Sequence, residues 1–338
     1  MMSELTLASC ETFLLDIPMQ RSHHMSFGAP DAVNFVMVRL ETVDGLVGWG
    51  EAATLGGPGW SAESSETIKV IIDRYIAPHL VGHSLLDYRC TLEQAFTAVR
   101  GNEFAKAAIE FAVMDIVGKF YQQPVYQLLG GAYRDAVDLS WSLASGDTDR
   151  DIAEAQEKMA AGQHHIFKLK FGVEPWCEDI KRLEKIRVAL GDEAQLRVDV
   201  NQGWDRTTAQ LALKEMAQYQ PDFFEQPLEA WDLGGLALLR QQSPVPILAD
   251  ESFTGPHAAM EMIRQQSVDA LSFKMTKLGG IVPALRAASL TETAGLAAYI
   301  GCMIETGIGT AAYLQFAAAL PKLQYGCELF GPLMLRDD

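Results

Sequence analysis

The chain has few of the features that mark secreted, membrane-spanning or disulfide-stabilised proteins. Its five cysteines are scattered, odd in number and without CxxC spacing, which argues against a disulfide framework or a zinc knuckle. The longest uncharged run, residues 306–321, is too short to cross a bilayer and contains polar residues. Residues 1–9 lack the basic and apolar segments of a signal peptide. We therefore expect a cytoplasmic protein with no membrane partner.

Basic residues are also scarce. The 27 Lys and Arg residues face 44 Asp and Glu residues, which gives a formal net charge of −17. Because a phosphate backbone requires a basic surface, we expect no nucleic-acid partner. An anionic small molecule is not excluded, since a metal ion and a few lysines reverse the local potential.

The chain divides by its secondary-structure pattern, and its 338 residues suffice for a barrel and a companion domain. Residues 4–17 and 34–52 read as strands, with Asp44-Gly45 as a hairpin turn in the second region. Helical periodicity follows, and we predict an α+β domain over residues 1–130. The predicted helices of that domain are 65–78, 87–98 and 103–121.

Residues 131–338 alternate between short apolar strands and helices, which is typical of a parallel α/β barrel. A doubly wound open sheet is the alternative, but no Gly-rich phosphate loop follows a strand. The predicted strands are 137–143, 166–171, 195–200, 222–225, 246–249, 269–274 and 298–303, with a shorter one near 324–328. The predicted helices include 148–160, 177–189, 207–217, 257–266 and 283–294.

Three acidic residues end successive apolar runs at nearly even intervals. Asp199, Glu225 and Asp250 are 26 and 25 residues apart, and a βα unit takes roughly 25 residues. Successive units of a barrel bring such residues together at one mouth. One such acid is usually a helix N-cap or a surface charge, but three at this spacing repel each other unless a divalent cation lies between them. Oxygen ligands without His or Cys favour Mg²⁺ or Mn²⁺.

Lysines occur at the same spacing. Lys170 lies 29 residues before Asp199, and Lys274 lies 24 residues after Asp250. Lys168 and Lys170 share one face of their strand, which in a barrel is the lumen; the alternative is a solvated edge strand. A lysine beside another cation has a lowered pKa and becomes usable as an acid or a base.

For other polar residues, position along the chain predicts lesser roles. Asn201 shares a face with Asp199, whereas Glu251 should point away from the face of Asp250. We expect Lys277 at the surface or at a helix start. The pairs His23-His24 and His164-His165 lack metal-ligand spacing and are expected to be exposed. Trp60, the loop 56–59, Met25 and Phe27 suggest apolar loops over a site.

These residues resemble the enolase superfamily and, within it, the muconate lactonizing (muconate cycloisomerase) enzymes. The chain has the order of residues shared by that subgroup: a lysine pair, then Asp, Glu, Asp and Lys. The stretch 327–333 also looks like the end of a cycloisomerase barrel. The matching segments are 101–106, 144–148, 167–170, 197–202, 225–227, 249–252, 274–280 and 327–333.

The resemblance implies a (β/α)7β barrel, a modified TIM barrel, with an N-terminal α+β capping domain. Its specificity loops would be near residues 20–30 and 54–61, and family members usually continue past the Glu328 segment with a tail that returns to the cap. It implies a homo-oligomer, an octamer being one such assembly. The implied metal ligands are Asp199, Glu225 and Asp250, the catalytic lysines are Lys168, Lys170 and Lys274, and the substrate contacts are Glu328, Leu55, Met25 and Asn201.

The expected reaction interconverts cis,cis-muconate, or a substituted muconate, and muconolactone through an enediolate. The substrate is thus a small dicarboxylate. Lys170 would protonate the carbon next to one carboxylate. The first alternative is a dipeptide or N-acylamino acid racemase of the same subgroup, although the Asp-x-Asp pair of a dipeptide epimerase is absent from the last strand. The second is a non-catalytic metal-binding homologue, which intact lysines and acids disfavour.

Overall fold

The computed structural model describes residues 5–338. Residues 1–4, which include the first residue of the predicted strand 4–17, lie outside the described part. The N-terminal region forms an antiparallel sheet in the order β1-β2-β3. Its turn contains Gly45 with φ of +81°, as the Asp44-Gly45 signal predicts. The strands are β1 (Leu7–Pro18), β2 (Ala32–Thr42) and β3 (Val47–Thr54).

Helices cover one face of this sheet. The longest helix, Glu103–Tyr121, packs closely on β3. A Cβ atom at Gly50 would lie 2.1 Å from the carbonyl oxygen of Ala108, so only glycine permits this approach. The first helix continues through a π-helical turn and a 3₁₀ turn to His79. The helices are α1 (Ser65–Ile71), α2 (Tyr88–Phe96), α3 (Glu103–Tyr121) and α4 (Val125–Leu128).

The second region is a curled parallel sheet of seven strands in chain order. Cys327 closes the ring through parallel bridges to Leu139 on one side and Ile300 on the other. The predicted eighth strand near 324–328 is therefore reduced to a bridge. The strands are β4 (Trp141–Leu143), β5 (Ile166–Lys170), β6 (Gln195–Asp199), β7 (Phe224–Glu225), β8 (Ile247–Ala249), β9 (Ala270–Ser272) and β10 (Ala297–Tyr299).

Helices alternate with these strands and form the outer layer. Several begin at the side-chain caps that sequence favours, such as Asp147, which accepts from the backbone N–H groups of Asp149 and Arg150. The helices are α5 (Thr148–Ala160), α6 (Trp176–Leu190), α7 (Arg206–Met216), α8 (Leu233–Gln242), α9 (Pro256–Gln265), α10 (Met275–Leu278), α11 (Ile281–Thr293), α12 (Gly307–Ala319) and α13 (Gly331–Met334).

Two buried carboxyl groups from the N-terminal region meet helices of the barrel. Glu110 on α3 accepts a hydrogen bond of 3.1 Å from the backbone N–H of Val282, in the first turn of α11. Glu51 on β3 accepts from the backbone N–H of Thr306, at 3.0 Å, just before α12. Backbone donors at a helix start have no partner within the helix, so the cap region supplies those partners.

The sheets and helices confirm the predicted fold class, a (β/α) barrel preceded by a smaller α+β region. The boundary between residues 130 and 131 stays a prediction. Within residues 5–338, none of the helices combines the length and the apolar character that a membrane crossing requires.

Candidate active site

The register of the barrel sheet aligns three of the predicted residues. Lys170 pairs with Asp199 across β5 and β6, and Asp199 pairs with Glu225 across β6 and β7. Parallel strands in register present such side chains at one end of the barrel. Asp250 follows directly after β8, and Lys274 follows shortly after β9. The barrel therefore gathers the spaced acids and lysines at one mouth.

Lys170 lies between Asp199 and Asn201. Its ammonium nitrogen is 2.6 Å from Oδ2 of Asp199 and 3.1 Å from Oδ1 of Asn201. Burial alone would raise the pKa of Asp199, but the neighbouring Lys170 and Lys168 outweigh burial and lower it. Asp199 is therefore held as a carboxylate.

Lys168 is the most deeply enclosed cation of the site, with 1 % of its surface exposed. Its nitrogen lies 3.0 Å from Oε2 of Glu225 and 3.3 Å from Oδ2 of Asp199, and it also donates to Oε2 of Glu328. Burial acts to lower the pKa of Lys168, but Glu225 and Glu328 overcome burial and raise it well above its usual value. Lys168 thus stays charged and links three carboxyl groups, so the expectation that a neighbouring lysine lowers the pKa is wrong for Lys168.

Asp250 is bound by two lysines. Lys274 contacts its Oδ2 at 2.6 Å, and Lys277 contacts its Oδ1 at 2.5 Å. Burial opposes ionisation, yet these ammonium groups hold the pKa of Asp250 well below its usual range. Lys277 lies in the first turn of α10, which fits the expected helix start, but the other expected place, the surface, is wrong, because Lys277 is 5 % exposed. Lys277 follows Lys274 by three residues, and this helical spacing is the sequence feature that could have indicated that both lysines face the same side.

Glu225 retains an unpaired oxygen. Its Oε1 is buried and has no hydrogen-bond partner among residues 5–338. Burial, with Asp199 nearby, raises the pKa of Glu225 to about 8. An orphaned carboxyl oxygen beside two further carboxylates fits a hard divalent cation, which would satisfy that atom and lower that pKa. In the described residues no three His, Cys, Asp or Glu side chains are grouped around a common metal position; Asp199 and Asp250 instead face lysine nitrogens.

Cap and barrel side chains enclose a small cavity beside these lysines. Its volume is about 20 Å³, which is room for a single water molecule. Met25 and Leu55, the two predicted substrate contacts in the cap loops, line it and are 4 % and 8 % exposed. The other lining residues are His23, Phe27, Trp60, Lys170, Asn201, Lys274, Cys302, Ile304, Glu328 and Phe330.

Larger clefts lie outside this cavity. One of about 600 Å³ borders Lys170 on its other side and is lined by residues of α6 and the loop after β4. Another of about 580 Å³ lies between α3 and α12 and contains none of the predicted site residues. Of these three spaces, the small cavity alone borders both Lys170 and Lys274.

Glu251 belongs to the site, contrary to the alternation argument. Its Oε1 accepts from Nδ2 of Asn201 at 3.0 Å and from the indole N–H of Trp60 at 3.2 Å. β8 ends at Ala249, so strand alternation no longer fixes the direction of the following residues. Glu251 therefore ties a cap loop to the barrel mouth.

Each histidine pair has one buried member and one exposed member. His24 and His165 are exposed, but His23 and His164 are 2 % and 7 % exposed, so the expectation for those two is wrong. His164 packs against Trp141 and bonds to the carbonyl of Leu139. Only His23 lies in the cavity.

Comparison with known proteins agrees with this geometry. Residues 9–130 match the family described as mandelate racemase / muconate lactonizing enzyme, N-terminal domain, and residues 150–338 match enolase C-terminal domain-like proteins. The chain belongs to the mandelate racemase and muconate lactonizing enzyme family. This confirms the resemblance from sequence, and enzymes of the family depend on divalent metal ions.

Individual relatives are similar over almost the whole chain. Chloromuconate cycloisomerase CbnB of Cupriavidus necator is 41 % identical over 334 residues, which cover 98 % of this chain and 89 % of the relative. Muconate cycloisomerase 1 of Pseudomonas putida is 40 % identical over 324 residues, which cover 96 % of this chain and 86 % of the relative.

Solved structures are equally similar. The muconate lactonizing enzyme of Pseudomonas fluorescens complexed with muconolactone superposes with a TM-score of 0.98 at 40 % identity, over 99 % of this chain and 91 % of that one. Muconate cycloisomerase from the same organism gives a TM-score of 0.94 at 39 % identity, with 99 % and 90 % covered. These relatives confirm the predicted enzyme class, a cycloisomerase. The roles of individual residues stay predictions.

Proposed function

We propose that this enzyme interconverts cis,cis-muconate, or a substituted muconate, and muconolactone. The observation that carries the proposal is the enclosed cavity that borders Lys170 and Lys274, from the second and sixth strand positions of the barrel. Those positions lie on opposite sides of an eight-membered ring, so a ligand between them has an ammonium group on each side. The relatives named as muconate and chloromuconate cycloisomerases support the substrate class.

Asp199, Glu225 and Asp250 would hold the divalent cation, Mg²⁺ or Mn²⁺. When bound, the cation supplies positive charge that stabilises the negative charge developing on one substrate carboxylate. Lys170 and Lys274 are now bonded to Asp199 and Asp250; if those carboxylates held the cation, both ammonium groups would be free to face the substrate. Lys168 keeps its contacts with Glu225 and Glu328 and fixes both carboxyl groups.

The reaction requires one carboxylate oxygen of muconate to bond to the carbon β to the other carboxylate. The electron pair of the double bond between this β carbon and the neighbouring α carbon moves onto the second carboxylate and gives an enediolate. Lys170 then delivers a proton to the α carbon, and in the reverse direction its neutral amine removes that proton. Lys274 stabilises the enediolate from the opposite side. Glu328, Leu55, Met25 and Asn201 would border the substrate.

Absorbance of cis,cis-muconate with Mn²⁺ tests the proposal. The enzyme should bleach the diene absorbance, and a chelator should abolish the effect. Loss of optical rotation from a dipeptide or N-acylamino acid, with unchanged muconate, would instead establish the racemase alternative. No change with any of these substrates would overturn both activities and favour the non-catalytic homologue.

Lys170→Ala tests the assigned proton donor. We expect a fall in kcat of about 10²–10⁴-fold, the usual contribution of general acid–base catalysis, with Mn²⁺ affinity nearly intact by calorimetry. Lys181→Ala is the matched control, because Lys181 lies on the adjacent α6 and is exposed. Turnover by Lys170→Ala near that of the control would remove Lys170 from this role.

We also propose that the enzyme acts in the cytoplasm as a homo-oligomer, of which an octamer is one form. All five cysteines are free, which suits a reducing compartment. Light scattering during size-exclusion chromatography would measure the subunit number, and a monomeric mass would contradict the assembly.

A further inference from the structure

The polar groups around the cavity differ in whether they have partners. Lys170 is bonded to Asp199, Lys274 to Asp250, and Glu328 to Lys168. Asn201 donates to Glu251. His23 is the exception among the polar lining residues: its Nδ1 is buried and has no hydrogen-bond partner in the described part of the chain. A buried polar atom without a partner is costly and calls for an explanation.

Residues on both sides of His23 are bonded to the barrel, Arg21 through its side chain and His24 through its backbone. Arg21 donates to the carbonyl of Ser142 at 2.7 Å and to Oε1 of Glu154 at 3.2 Å. On the other side the N–H of His24 donates to the carbonyl of Ala144 at 2.9 Å. The imidazole of His23 therefore does not hang from a free loop, and its position over the barrel mouth is set before any ligand binds.

The ring itself is held by an aromatic contact. The centroids of His23 and Phe330 are 6.1 Å apart at an interplanar angle of 36°. Phe330 in turn packs on Trp141, with ring centroids 5.5 Å apart. Phe330 thus packs against the same imidazole whose Nδ1 has no hydrogen-bond partner among residues 5–338.

The surroundings favour an anionic partner for that ring. Burial, with the positive charges of Lys170 and Arg21 nearby, lowers the pKa of His23 well below its usual value. A neutral imidazole carries one ring N–H, which can donate to a carboxylate without bringing another buried cation. The nearby cations add attraction for negative charge.

We propose that the imidazole of His23 donates a hydrogen bond to the carboxylate of the substrate that is not held at the acid cluster. This inference rests on the proposed function and assigns the recognition of the second, nucleophilic carboxylate. It makes the enzyme selective for dicarboxylates over monocarboxylates of the same carbon skeleton. His23 orients the attacking oxygen and transfers no proton.

The test compares two ligands in an inert background. Lys170→Ala with Mn²⁺ is titrated with cis,cis-muconate and with (2Z,4Z)-2,4-hexadienoate, in which a methyl group replaces one carboxylate. Adding His23→Phe, which keeps a ring against Phe330, should weaken muconate binding by about 10–100-fold, the range of a hydrogen bond to a charged group. Binding of the hexadienoate should change by less than about twofold.

Two further variants separate recognition from structure. His23→Asn places an amide N–H near the position of Nδ1 and should restore most of the muconate affinity, while His24→Phe, at the exposed neighbour, should alter neither ligand. Equal weakening of both ligands by His23→Phe, or unchanged muconate binding, would overturn the inference. Turnover of muconate by the parent enzyme is measured separately, so a failure of the proposed reaction is distinguished from a failure of the assignment to His23.

Discussion

Glu110 offers a quantitative test of how the cap region is joined to the barrel. Its side chain is 3 % exposed, and its Oε1 accepts from the N–H of Val282. Burial raises the pKa of Glu110 from 4.5 to about 7, against the opposing effect of the backbone donors of Val282 and Ile281. The carboxyl group is therefore easier to protonate in the folded protein than in the unfolded chain.

This difference makes the free energy of unfolding depend on pH. Between pH 4.5 and 7 the folded state binds more protons at Glu110, so stability falls as pH rises. A difference of roughly 2.5 pKa units corresponds to about 3 kcal/mol once pH exceeds 7. Glu110→Gln keeps an oxygen acceptor for Val282 and removes the ionisable group. The variant should be more stable than the parent by about 3 kcal/mol at pH 8, and within about 1 kcal/mol of it at pH 5.

Urea unfolding at pH 5, 6, 7 and 8 measures the difference. Glu157→Gln is the control, because Glu157 is exposed on α5 and its replacement should have the same small effect at every pH. A Glu110→Gln variant that is less stable than the parent at pH 8 would refute the reasoning. It would mean that the start of α11 holds Glu110 as an anion, and that the positive helix end outweighs burial.

Three further substitutions test the site. Glu225→Gln should weaken Mn²⁺ binding by more than about 100-fold, because even residues that only support a metal ligand contribute 10–100-fold; calorimetry measures it. Lys277→Met should weaken Mn²⁺ binding by about 10–100-fold, since Lys277 holds Oδ1 of Asp250. Trp60→Phe should raise KM for muconate by about 3–10-fold and leave Mn²⁺ affinity unchanged, because only the bond to Glu251 is lost.

Controls for these variants come from exposed residues of the same types. Glu229→Gln and Lys181→Met should leave metal affinity unchanged, since both side chains are exposed. Unaltered Mn²⁺ affinity in Glu225→Gln would contradict the ligand assignment. Parent-like affinity in Lys277→Met would leave Lys277 a purely structural residue, and parent-like KM in Trp60→Phe would remove the role of its N–H.

The barrel and its spaced acids could be predicted because both follow from one repeat. Each βα unit returns the chain to the same mouth, so Asp199, Glu225 and Asp250 needed no long-range information. The hairpin at Asp44-Gly45 was predictable for a local reason, since the turn itself requires positive φ. The helix α12 lies in an uncharged run without an amphipathic pattern, and no periodic signal separated it from a buried loop.

The misplaced residues lie where strand alternation ends. Glu251 follows β8, and Lys277 lies on the short helix α10, so a period of two no longer describes either residue. His23 is placed by contacts of Arg21 with Ser142 and Glu154, more than a hundred residues away in sequence. Such contacts leave no local pattern, and only the folded chain reveals them.

The carboxyl groups of Glu51 and Glu110 bear on how separable the two halves of the protein are. A barrel expressed alone would present unsatisfied backbone donors at α11 and α12 to whatever surrounds it. A chimaera that joins this barrel to the cap of a relative therefore has to retain a side-chain oxygen acceptor at both positions. Exchange of substrate preference by domain shuffling is consequently restricted, whereas replacement of loop residues such as Leu55 leaves the junction untouched.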